Sequence, residues 1–180
     1  MARIVVKELA SIGAIKRGRF VLSSGKTSDI YIDLRLVPSH PPVFKLLLGL
    51  AYFLHKDIVE TVSAIIGVAT GGIPWAVGLG LLASKPVGYV RPQKKEHGRG
   101  RVVEADLPTR SSVLVVDDVA TTGRSLSSAV DALRGEGYRV REALVIVDRE
   151  EGARSELERK GVKLRYIITL SQLREALEDL

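Results

Sequence analysis

Residues 113–125 read Val-Leu-Val-Val-Asp-Asp-Val-Ala-Thr-Thr-Gly-Arg-Ser, and this stretch decides the fold. The apolar run Val113 to Val116 predicts a buried strand that meets two adjacent carboxylates, Asp117 and Asp118. A short polar turn follows, and a helical pattern starts at Arg124. Free amides at a helix start hold a phosphate, and carboxylates beside them accept hydrogen bonds from sugar hydroxyls or stand near a metal. A sugar phosphate satisfies both halves. The bland alternative is a strand ending in polar residues, with Asp118 or Thr122 capping the helix. Adjacent acids repel each other and structure alone asks for neither, so the functional reading outweighs it.

Working outward, strand and helix patterns alternate. Strands are predicted at Val62–Gly67, Val87–Val90, Val140–Val147 and Leu164–Leu170. Helices are predicted over 41–54, capped by Ser39, and over 73–84, 124–136 and 153–160, with a last one capped by Ser171 and running to Leu180. Strands without apolar alternation, separated by helices, imply an α/β fold with a central parallel sheet flanked by helices. Before them come a helical spacing over 3–17 and two short strands, Phe20–Leu22 and Ile30–Arg35, able to pair as a hairpin. A second strand–loop–helix junction, Gly67-Val-Ala-Thr-Gly-Gly-Ile-Pro74, carries glycines that let a ligand approach the backbone. Alone it reads equally well as a tight turn. Two such junctions at one edge of one sheet favour a site.

Composition bounds the rest. With 180 residues, 46% hydrophobic and 27% charged, one globular domain with an aliphatic core is expected. No cysteine means no disulfide and no thiolate metal site. No apolar run is long enough for a membrane span, and an early acid, Glu8, argues against a leader, so a cytoplasmic protein without membrane partners is expected. The net charge of +6 concentrates at Arg91–Arg101, with Lys94, Lys95, His97 and Arg99 between. That favours a local anion site over a nucleic-acid face. The segment is a solvated loop on the bland reading and a lid over a polyanion on the functional one.

The stretch at 113–125 closely resembles the phosphoribosyl-pyrophosphate signature of type I phosphoribosyltransferases. Three further segments resemble the orotate branch of that family. They are Phe20-Val-Leu-Ser-Ser-Gly-Lys-Thr-Ser-Asp-Ile-Tyr-Ile-Asp-Leu-Arg35, Arg91-Pro-Gln-Lys-Lys-Glu-His-Gly98 and Asp148-Arg-Glu-Glu-Gly152. The resemblance implies the type I fold with a small N-terminal hood (about 1–40) and a mobile catalytic loop (about 91–105). It implies transfer of the 5-phosphoribosyl group from phosphoribosyl pyrophosphate to orotate, with Mg²⁺ carried mainly by the pyrophosphate substrate and no metal site built by the protein. By position, Asp117 and Asp118 would fix the ribose. Ala120, Thr121, Thr122, Gly123, Arg124 and Ser125 would hold the 5-phosphate, with Thr121 also near the base and Val119 a further substrate-binding position. Arg149 and Lys26 would contact substrate. Arg91, Lys95 and His97 would cover the leaving group, reaching the neighbouring subunit of a homodimer. Without the family, Arg149 reads as a surface ion pair with Glu150 or Glu151.

Departures from the family pattern stand at Pro92, Ser23 and Gly71, where the bacterial form carries lysine. A sister transferase for a purine or uracil would share the signature without the basic loop. An RNA-binding regulator of the same fold would need no such loop, and a purely structural domain would leave the paired acids unexplained. Trp75 reads as core or as a dimer contact, and His40 and His55 take no role.

Overall fold

The computed structural model describes residues 1–21, 27–91 and 102–179. Helix α1 (Ala2–Ser11) leads into an antiparallel hairpin of β1 (Ile15–Val21) and β2 (Thr27–Ile32), whose register slips between Arg17 and Phe20. The helical spacing expected to Arg17 stops early, because Gly13 turns the chain with positive φ and Ile15 already pairs with Ile32. The second hairpin strand also ends before Arg35. Asp33 accepts a hydrogen bond from the Arg35 amide and opens a 3₁₀ turn over Leu34–Ser39.

The main body is α2 (Pro41–Leu54), α3 (Lys56–Thr61), β3 (Ala64–Val68), α4 (Gly72–Ala83), β4 (Val87–Val90), β5 (Val103–Glu104), β6 (Ser112–Ala120), α5 (Arg124–Gly135), β7 (Arg139–Asp148), α6 (Ala153–Glu158), β8 (Lys163–Thr169) and α7 (Leu170–Glu178). Its six strands lie in the order β5-β4-β3-β6-β7-β8. All neighbours run parallel except β5, which pairs antiparallel with β4 at the edge. β5 and α3 were not foreseen, since two and six residues are too short to show a period.

Both faces of the sheet are covered, as the unbroken apolar runs require. Leu114, Val116, Leu144 and Ile146 turn to the core under α1, α2, α4 and α7. Val113, Val115, Ala143 and Val145 turn to the core under α5 and α6. Two helix caps differ from expectation. Thr169, not Ser171, caps α7, through a reciprocal box with Gln172. The Ser171 hydroxyl is instead engaged by Glu150. His40 precedes α2 without a side-chain cap, and Ser39 ends the 3₁₀ turn. No described helix is long and apolar enough to cross a membrane.

The chain leaves β3 toward β4 on one side and continues from β6 through β7 to β8 on the other. Strand order therefore reverses between β3 and β6, and in open α/β sheets ligands bind beyond the carboxyl ends of the strands at that point.

Candidate active site

Strand β6 does not stop at Val116. It pairs with β7 through Asp117↔Val145, Val119↔Val147 and Ala120↔Asp148, so both acids sit within a strand. The sheet holds them in place at a cost in hydration. Asp117 is only 8% exposed. Burial, and then the neighbouring Asp118 charge, push its carboxyl well above the usual range. Burial raises Asp118 as well, against amide hydrogen bonds and the Arg35 charge that favour its ionised form. The Asp118 amide donates to Asp117 Oδ1 at 2.9 Å, and the Val119 amide donates to Asp118 Oδ1 at 2.8 Å. The oxygens left over face a cleft of about 620 Å³.

Two turns close the floor of that cleft. In the first, β3 and α4 meet so tightly that a Cβ on Gly72 would collide with the Val116 carbonyl oxygen and come within 2.9 Å of the Asp117 Cα. A Cβ on Gly71 would lie 2.5 Å from Asp118 Oδ2. The Asp118 carboxylate thus occupies the volume that a side chain at 71 would start from. The peptide bond between Ala69 and Thr70 is cis. In the second turn Gly123 adopts φ +81°, with Ala153 Cα 2.9 Å from where its Cβ would be. The Ser127 amide donates to the Gly123 carbonyl at 2.8 Å. The amides before it face outward at the start of α5, an anion-binding arrangement.

The far wall comes from the hairpin and its 3₁₀ turn, through Tyr31, Asp33 and Arg35. Arg35 grips Asp33 with both arms of its fork, Nε to Oδ1 at 2.7 Å and Nη2 to Oδ2 at 3.0 Å, while Nη2 also donates to the Tyr31 hydroxyl at 3.0 Å. That pairing lowers the Asp33 pKa and raises the Arg35 pKa. Arg149 enters from the end of β7. It is 4% exposed, donates from Nε to Glu151 Oε1 at 2.7 Å and from Nη2 to Ser28 Oγ at 3.2 Å. The ion pair is therefore buried, where the family-free reading expected a surface one.

The phosphoribosyl transferase domain model matches residues 37–167. The chain belongs to the phosphoribosyltransferase family. Among the relatives of this phosphoribosyltransferase is the orotate phosphoribosyltransferase of Aeropyrum pernix, 47% identical over 98% of this chain and 95% of its own. That of Pyrococcus abyssi is 37% identical over 98% and 97%. The crystal structure of the Aeropyrum pernix protein superposes with a TM-score of 0.87 at 45% identity, covering 97% of this chain and 99% of its own. Mycobacterium tuberculosis orotate phosphoribosyltransferase in complex with 5-phospho-α-D-ribosyl 1-diphosphate gives 0.75 at 27% identity, over 96% and 98%.

Within this phosphoribosyltransferase the expected residues divide. Asp117, Asp118, Val119, Thr121, Ser125 and Arg149 line the one cleft. Arg124 lines a smaller adjoining hollow of about 280 Å³ with Ser125 and Arg91. Ala120 is core, and Thr122 and Gly123 shape the turn. Arg91 stands outside the main cleft. Its Nη2 donates to the Tyr89 hydroxyl at 2.9 Å and lies 3.3 Å from Glu104 on the edge strand. Lys26, Lys95 and His97 fall outside the described residues. Trp75 is core, edge-on to Phe44. Sequence reading missed Ser28, Tyr31, Asp33 and Arg35 as site residues. The alternation of Ile30-Tyr31-Ile32-Asp33-Leu34-Arg35 carried the signal, because it set the three polar side chains opposite the apolar ones.

Proposed function

We propose that this chain transfers the 5-phosphoribosyl group of phosphoribosyl pyrophosphate to orotate, giving orotidine 5′-monophosphate and pyrophosphate. The observation that carries this reading is one cleft holding the Asp117–Asp118 pair, the start of α5 and the buried Arg149. The carboxylates accept from the ribose hydroxyls. Amides of residues 121–125 and the Thr121 and Ser125 hydroxyls take the 5-phosphate. The Arg149 fork, held by Glu151 and Ser28, presents its remaining N–H groups to the base, and a guanidinium suits an anionic, oxygen-rich ring. The orotate nitrogen bonds to the anomeric carbon as the bond to the pyrophosphate oxygen breaks, and the leaving electron pair goes to pyrophosphate.

The described residues hold no group of three acids or histidines that would bind a metal unaided. On this reading Mg²⁺ arrives on the substrate's own phosphates, where it offsets their charge. Arg91, Lys95 and His97 cover pyrophosphate in the partner subunit, inside a homodimer. Two observations support that arrangement. Arg91 lines the adjoining hollow and not the main cleft, and α4 leaves an apolar stripe of Val77 and Leu81 uncovered, the latter 77% exposed.

The deciding measurement follows absorbance with phosphoribosyl pyrophosphate, Mg²⁺ and each of orotate, uracil, adenine and hypoxanthine. Orotate alone is consumed on this reading. Turnover of another base without orotate would overturn the base assignment.

A further inference from the structure

Among the described residues, the cleft offers little free positive charge to so anionic a substrate. Among the described residues lining it, only Arg35 and Arg149 are cationic, against Asp33, Asp117 and Asp118. Arg149 is buried, paired with Glu151, and on the reading above turned to the base. Arg35 differs. Its side chain is 64% exposed, and it stands on the wall opposite Gly71 and Asp118. The first glycine turn offers no cation, because Gly71 is packed against the Asp118 carboxylate. Among the described residues, the charge felt at Asp118 across the cleft is that of Arg35, on the hood.

We propose that Arg35 is a substrate-binding residue that grips the pyrophosphate of phosphoribosyl pyrophosphate, exchanging Asp33 for the phosphate oxygens. This rests on the reading of the cleft given above. Its chemistry is that of a fork already displayed to a carboxylate. A guanidinium that holds Asp33 through two parallel N–H···O bonds meets a phosphate with the same geometry. Asp33 and Tyr31 keep the fork aimed while the site is empty of anion, so little side-chain entropy is lost on binding.

The test compares two ligands that differ only in the pyrophosphate, phosphoribosyl pyrophosphate and ribose 5-phosphate. Both are titrated calorimetrically in Mg²⁺ into the whole wild-type chain and its Arg35→Ala, Arg35→Gln and Asp33→Asn variants. Arg35→Ala and Arg35→Gln should weaken phosphoribosyl pyrophosphate at least tenfold and leave ribose 5-phosphate within twofold of wild type. Asp33→Asn should bind the pyrophosphate ligand as well as wild type or better. Equal loss of both ligands in the Arg35 variants, loss of neither, or equal weakening by Asp33→Asn would overturn the proposal. A wild-type chain that binds neither ligand would overturn it together with the reading of the cleft. Binding of phosphoribosyl pyrophosphate without orotate turnover would touch the choice of base alone.

Discussion

Asp117 is held in a place that costs stability. Its carboxyl is buried beside a second acid, and the fold favours its protonated form. In strong acid, folded and unfolded chains both carry the proton and nothing is lost. As pH rises through the elevated folded-state pKa, the unfolded chain ionises freely while the folded one must ionise a buried group, so stability falls. Asp117→Asn keeps an oxygen to accept from the Asp118 amide and cannot ionise. We expect it to melt higher than wild type at pH 7, by about 2–4 °C per kcal/mol regained, with the gain gone near pH 3. The same variant should lose turnover about tenfold or more, from the roughly 1.5–3 kcal/mol that a hydrogen bond to a charged group contributes. Melting curves at both pH values, set beside orotate kinetics, check the pair of outcomes. A variant that melts lower at neutral pH would show that the buried charge is not a burden.

At the scale of elements, the junction of β3, α4 and β6 sets the site, and its tolerance is read from contacts. Gly72→Ala places a methyl against the Val116 carbonyl, and Gly123→Ala sets one against Ala153 with φ +81°. Each should destabilise by about 1–3 kcal/mol or more. Gly49, exposed on α2 with nothing within 4 Å of its missing Cβ, is the control. Gly49→Ala should stabilise by about 0.5–1 kcal/mol. Urea midpoints of the three variants give the ranking directly. These contacts also mark what sequence reading can reach. The strand–acid–turn–helix order was legible at 113–125, because apolar runs and turn residues are local signals. The end of β6 was not: Asp117 and Asp118 look like strand breakers until β7 is there to pair with them. Nor was the embrace of Gly71 by Asp118, which joins residues 47 apart. Arg149 was singled out only through the family resemblance, and its seating against Ser28 depends on a hairpin 121 residues earlier. Arg35 escaped notice because a 3₁₀ turn, not the expected strand, aims it.

The candidate groups fall into two adjoining hollows. The acids, Ser125 at the helix start and Arg149 share one cleft, whereas Arg91, where the basic loop begins, lines the hollow next to it. If the loop serves the neighbouring subunit, two crippled chains can repair one another. Lys95→Ala should lose most turnover by itself, and so should the double variant Asp117→Asn, Asp118→Asn. Mixed in equal amounts under conditions of subunit exchange, they should recover up to about a quarter of wild-type activity, since half of the dimers are mixed and each mixed dimer has one intact site. Recovery of none, with exchange verified by mass spectrometry, would place the loop over its own cleft.

Arg3 on α1 reaches Asp179 just past α7, with Nη2 and Oδ2 2.5 Å apart, and the two helices pack side by side. The described backbone therefore runs nearly in a ring, fastened by this ion pair. A short bridge between these helices would close that ring, and fresh ends could open in an exposed turn such as the one around Arg110, without rethreading any strand of the sheet. The hood would then follow α7 directly, and the two walls of the cleft, contributed by residues near 30 and near 149, would stand closer in sequence than they do now.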